Sequence, residues 1–177
     1  VTNTWSLSAA RIASAAGRPD RFMGVHFDHA VRQSSIVEVV RTGETSDHTY
    51  RSVVKFLGDL GKRVVELNGG TCLVTTRLML ICMNEAFHLL LEGSADAGTI
   101  DRAMKINSGM CPPPLEMADQ IGLDAVLRMM ENLAETVHGE RYRPCPLLRR
   151  LVREGRLGVT SGAGVYEYRN GVRAAEN

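Results

Sequence analysis

The chain has no excess charge of either sign. Its 21 Lys and Arg stand against 20 Asp and Glu, a formal net charge of +1. That balance gives no electrostatic reason to expect nucleic acid or an anionic membrane as a partner. Cysteine is sparse: Cys72, Cys82, Cys111 and Cys145 are scattered, with no CxxC. They read as reduced thiols in a cytoplasmic protein, and neither a disulfide frame nor a metal site is expected. The longest apolar run, Leu78 to Met83, is far too short to cross a bilayer, and no signal peptide is visible. No internal repeat, Walker A motif or dinucleotide fingerprint occurs among these residues. Gly162-Ala163-Gly164 starts like a nucleotide loop but lacks the third glycine and a following helix.

What is present is ordinary globular composition, 44% hydrophobic and 23% charged over 177 residues. That length suits one domain or two small ones with a real core. The first third alternates strand and helix. Phe22 to Phe27 and Ile36 to Val40 are short apolar runs of strand-favouring residues, and Lys62 to Leu67 is a third. Ser8 and Ser46 can cap helices, and Tyr50, Val53, Val54 and Leu57 lie on one helical face before Gly61. The alternation argues for a small parallel-type sheet.

After Asn68-Gly69-Gly70 the pattern becomes helical. Leu73 to Glu92 reads as one long helix, and Asp96 caps another that runs to about Ile106. Pro114 sits in the first turn of a further helix. Leu123, Val126, Leu127, Met130, Ala134 and Val137 form a long apolar stripe. Met104, Met110, Met117, Met129 and Met130 read as core gap-fillers. Pro146 to Glu154 is a basic helix, with Arg149, Arg150, Arg153 and Arg156 on a face that is usually solvated. The fold class is α/β followed by all-α, divided into residues 1–68 and 69–177.

Two residues stand out chemically. His26 ends the first strand run and Glu38 lies in the second, close enough in sequence for adjacent strands to bring them together. A carboxylate beside an imidazole fixes its tautomer and stabilises the imidazolium, which makes a general acid–base unit. A buried histidine and an unrelated surface glutamate would give the same spacing. His29 is a further loop histidine. Glu85-Ala-Phe-His88 matches a metal-type ExxH, but no second copy exists, so it reads as a surface pair.

Several segments together resemble the 3-hydroxyacyl-CoA dehydrogenases. TNTWSLS, RFMGVHF and IVEVV are similar to that family's SNTSSLS, RFxGxHFFNPVP and LVEVI. IDRAMKI, PPLEMADQIGLDAVL, YRPCPLLRRLVREGRLG and SGAGVYEY are similar to the helical C-terminal domain, especially of the 3-hydroxybutyryl-CoA enzymes. The resemblance implies a partial Rossmann-like sheet followed by a helical dimerisation domain, so residues 1–68 become the C-terminal portion of an NAD-binding domain. It implies hydride transfer between NAD and the 3-carbon of an acyl thioester of fatty acid metabolism. The carrier is coenzyme A or a carrier protein, and the protein is expected to be a homodimer. His26 falls on the family's base and Glu38 on its partner. On this resemblance the N-terminal half of the NAD-binding domain, with its binding motif, is expected to be missing.

The departures fall at the site. The family's catalytic serine aligns with Trp5, beside Ser6, while Asn3 is retained. Its catalytic asparagine, in TPGFxxNR, aligns with Thr76, and Arg77 is kept. The loop asparagine has become His29, and KTGxGFY has become TSGAGVY. Asn3, Ser6 and Thr76 are therefore the expected substrate-binding residues. The alternative is a repurposed domain doing His26–Glu38 acid–base chemistry on a thioester or other carbonyl compound without NAD, or a non-catalytic dimerisation or binding module.

Overall fold

A computed structural model of the chain describes residues 1–3, 9–27, 35–68, 73–137 and 140–175. It divides into two compact units, Val1–Arg77 and Leu78–Asn177.

The first unit is built on a sheet of β1 (Gly24–Phe27), β2 (Ile36–Arg41) and β3 (Arg63–Asn68), in that order. β2 and β3 are parallel, joined through helix α2 (Asp47–Asp59), but β1 is antiparallel to β2. The expectation of a parallel-type sheet is therefore corrected at β1. Only eight residues separate β1 from β2, and a parallel crossover needs a dozen or more. Thr2 adds a parallel bridge beside Gly24.

Side chains alternate across this sheet with period two. Val25, Val37 and Val39 point to one face and pack with Met23 and Leu57 of α2. Tyr50 and Val53 of the α2 stripe join them. The Ser46 hydroxyl accepts the Thr49 N–H and caps this helix as expected. Val40 points to the opposite face, where it packs with Leu73 and with Ala9 of helix α1 (Ala9–Ala15).

The second unit contains most of α3 (Val74–Leu91), then α4 (Ala97–Ser108), α5 (Pro114–Ile121), α6 (Leu123–Val137) and α7 (Pro146–Arg153). A two-stranded hairpin, β4 (Tyr168–Arg169) and β5 (Val172–Arg173), follows them. By length and composition α3 could cross a membrane. The unbroken apolar run is shorter than the helix because Asn84, Glu85 and His88 interrupt it. Leu80, Met83, Ala86 and Phe87 of this helix are buried. Asn84 is buried with them, accepting the Cys145 N–H and donating to the Arg143 carbonyl. The α6 stripe is wider than the sequence reading, since Met129 and Leu133 are buried beside Leu123, Val126 and Met130. Met104, Met110 and Met117 are only half-buried.

Two buried carboxylates organise the C-terminal segment. Asp101 accepts the Leu115 and Glu116 N–H groups in the first turn of α5, and the Tyr166 hydroxyl at 2.8 Å. Asp119 accepts the N–H groups of Val165 and Tyr166, at 2.8 and 2.9 Å, and the Tyr168 hydroxyl at 3.1 Å. Burial pushes the Asp119 carboxyl above its usual range, against the pull of these donors, and burial also pushes the Tyr168 hydroxyl up. Gly164, Val165 and Tyr166 close on this carboxylate. A Cβ on Gly164 would stand 2.1 Å from Asp119 Oδ1, and one on Gly158 2.2 Å from the Asp119 carbonyl oxygen. The glycines serve close approach to Asp119.

Gly164→Ala is therefore expected to lower stability by about 1–3 kcal/mol through overpacking. Gly58→Ala, in α2 with nothing within 4 Å of the added Cβ, is expected to raise it by roughly 0.5–1 kcal/mol. Urea midpoints of the two variants check both signs; equal midpoints would contradict the Asp119 packing.

Candidate active site

The register of β1 against β2 pairs His26 directly with Glu38. Directly opposed residues project to the same face, with Cβ atoms about 4.5–5.5 Å apart. Here that is the face shared with Val40, Ala9 and Leu73. Both side chains are deeply buried, each with 5% of its surface exposed. The sheet thus brings together the two residues that the sequence picked out.

Their hydrogen bonds involve two further residues. His26 Nδ1 lies 3.0 Å from Asn3 Oδ1. An amide oxygen only accepts, so this bond forms with the proton on Nδ1. In the neutral ring the lone pair is then on Nε2, the nitrogen a general base would use. Asn3, an expected substrate ligand, thus has its side-chain oxygen against the imidazole. The Glu38 carboxylate is held from α3: the Thr75 hydroxyl donates to Oε2 at 2.6 Å and the Thr75 N–H to Oε1 at 3.3 Å. Thr75 was not among the residues picked from the sequence. Its only signal there was a hydroxyl residue at the start of a helix, which is common at such positions.

Thr76 is buried in the first turn of α3, next to Thr75. Ser6, Trp5 and His29 lie outside the described residues. Glu85 is exposed and His88 half-buried. Among the described residues no group of three or more His, Cys, Asp or Glu gathers as a metal site. Of the basic face, Arg149 pairs with Glu131 at 2.5 Å. Arg156 bonds the Gly164 carbonyl and pairs with Glu167.

A small sheet carrying a buried His and Glu on one face, followed by a separate helical unit, is the arrangement of a Rossmann-like NAD-binding domain with a helical C-terminal domain. The family models agree with this class. Residues 1–70 match the 3-hydroxyacyl-CoA dehydrogenase NAD binding domain, and residues 73–168 match the 3-hydroxyacyl-CoA dehydrogenase C-terminal domain. The chain belongs to the 3-hydroxyacyl-CoA dehydrogenase family.

Among its relatives is the 3-hydroxybutyryl-CoA dehydrogenase of Bradyrhizobium diazoefficiens, 39% identical over 95% of this chain and 57% of the relative. A probable 3-hydroxybutyryl-CoA dehydrogenase of Bacillus subtilis is 41% identical over 94% of this chain and 58% of the relative. The crystal structure of (S)-3-hydroxybutyryl-CoA dehydrogenase from Ralstonia eutropha superposes with a TM-score of 0.90 at 38% identity. That match covers 95% of this chain and 59% of the crystallised one. The chain spans about 57–60% of the length of the first curated relatives it matches. The expectation of a missing N-terminal half is not borne out by these matches, which assign residues 1–70 to the NAD-binding domain model.

Asn3→Asp would place a carboxylate against His26 Nδ1. The His26 titration midpoint is expected to rise by about 1–3 pH units, since a close opposite charge favours the imidazolium. NMR titration of the imidazole measures this; an unmoved midpoint would show that the Asn3 contact does not form.

Proposed function

We propose that the protein takes part in NAD-dependent interconversion of 3-hydroxyacyl and 3-oxoacyl thioesters, with His26 as the base for the 3-hydroxyl proton. Glu38 is the carboxylate beside it, and Asn3 holds the tautomer that carries the proton on Nδ1. The observation that supports this most is the direct cross-strand pairing of His26 with Glu38 on one buried face. Family membership supplies the substrate class, and the relatives' names favour a short acyl chain on coenzyme A. NAD, when bound, accepts the hydride. The Gly162-Ala163-Gly164 loop does not suit its phosphates, because the Asp119 carboxylate already stands against Gly164 and takes the next two N–H groups. None of the described residues is assigned to the cofactor.

His26→Gln is expected to lower the rate of NADH formation from 3-hydroxybutyryl-CoA by about 10²–10⁴-fold, the usual weight of a general base. The assay uses the protein with its complete NAD-binding region. Equal rates for parent and variant would remove His26 from the chemistry, and no NADH formation by the parent would remove the dehydrogenase reading itself.

The same proposal includes a homodimer. Leu78 of α3 and Ile106 of α4 are exposed, at 66% and 73%, and a dimer contact would bury such side chains. Light scattering at tens of micromolar is expected to give twice the chain mass, and Leu78→Glu with Ile106→Glu is expected to halve it. A monomeric parent would count against the dimer.

A further inference from the structure

Among the described residues, Thr75 donates to both oxygens of the Glu38 carboxylate. Its hydroxyl bond, at 2.6 Å, lies in the range of charge-assisted O–H···O⁻ bonds, which are roughly twice as strong as neutral ones. Its N–H is among the first-turn donors of α3 that have no partner inside the helix, and the N-terminal end of a helix favours negative charge. His26, opposite Glu38 on the sheet, has its Nδ1 on the neutral oxygen of Asn3. Glu38 is therefore bonded at the helix terminus while it stands opposite the imidazole across the strand pair.

We propose that Thr75 is a positioning residue. It holds the Glu38 carboxylate on the first turn of α3 and so limits how strongly that carboxylate stabilises the His26 imidazolium. This rests on the reading of His26 as the base. The physical reason is competition for one charge. A carboxylate already bonded by two donors offers less to a neighbouring cation than one whose oxygens are uncommitted. The consequence suits a base that removes an alcohol proton near neutrality. An imidazole too strongly paired with a carboxylate stays protonated and cannot accept another proton. The other charged side chains on these elements are Arg11 of α1, Arg41 of β2, Arg63 and Glu66 of β3, and Arg77 and Glu85 of α3; Arg41 and Glu66 lie on the opposite sheet face, bonded to Asp47 and Tyr50, and all are left unchanged in every variant below.

The test is the NMR titration of His26 in the full chain, without cofactor or substrate. Thr75→Val keeps the shape and the N–H but removes the hydroxyl. The His26 midpoint is expected to rise by about one pH unit as Glu38 turns toward the ring. Thr75→Ser is expected to restore the parent value. Thr75→Val combined with Glu38→Gln is expected to abolish the rise, because the gain comes from Glu38 alone. A midpoint in Thr75→Val equal to the parent's overturns the proposal, and so does a rise that survives in the double variant. Should Thr75→Val lose the native amide spectrum, Glu38→Gln alone decides. The proposal expects only a small fall in the midpoint, and a fall of more than about one pH unit overturns it. Because the titration involves no turnover, its failure leaves the dehydrogenase reading standing, and an inactive parent enzyme leaves the titration result standing.

Discussion

A slip of one residue between β1 and β2 would take His26 out of register with Glu38. With the observed register, Val25, Val37 and Val39 enter the core against Met23 and Leu57, and His26 and Glu38 share the opposite face. Shifted by one, β1 would present a different set of partners, and a strand turned over would put a charge into the α2 core. Such a slip is resisted because one whole face is apolar and buried. The valines thus do more than fill space. By choosing which face is core, they place the imidazole and the carboxylate side by side.

Three buried or nearly buried carboxylates share one device. Glu38 takes an N–H from the first turn of α3 and Asp101 takes two from the first turn of α5. Asp119 takes two from the Val165–Tyr166 backbone. In each case backbone donors replace the water that the carboxylate lost, which is the condition for burying such a group without a large penalty. The environments separate the roles. Asp101 and Asp119 are surrounded by tyrosine hydroxyls and backbone, so their bonds tie down the C-terminal segment. Glu38 stands opposite an ionisable ring, so its bonds act on the charge that faces that ring.

Much of the scaffold was legible because it depends on local rules. Ser46 and Asp96 cap their helices through their own side chains, and Pro114 opens α5. The hydrophobic period located β2, α2 and α6 to within a residue or two. His26 and Glu38 were legible as a pair because strand ends and strand centres can be read from short apolar runs. Asn3 was picked out by the resemblance, but its contact was not legible, since nothing in a linear sequence says that residue 3 reaches residue 26. Thr75 was overlooked in favour of Thr76, because two adjacent threonines differ only in the direction that the helix turns them.

By itself, then, the sequence determined the order of elements, the change from alternating strand and helix to helix alone, and the identity of the imidazole and carboxylate. These follow from side-chain period, capping and composition, which act over a few residues. Only the tertiary structure decided that β1 runs antiparallel to β2, that Asn3 meets His26 Nδ1, and that Thr75 holds Glu38. It also decided that Gly164 packs against the Asp119 carboxylate. Each of these is a contact between segments far apart in the chain, set by which faces must be buried and which buried polar atoms must find a partner, and neither condition exists until the chain has folded.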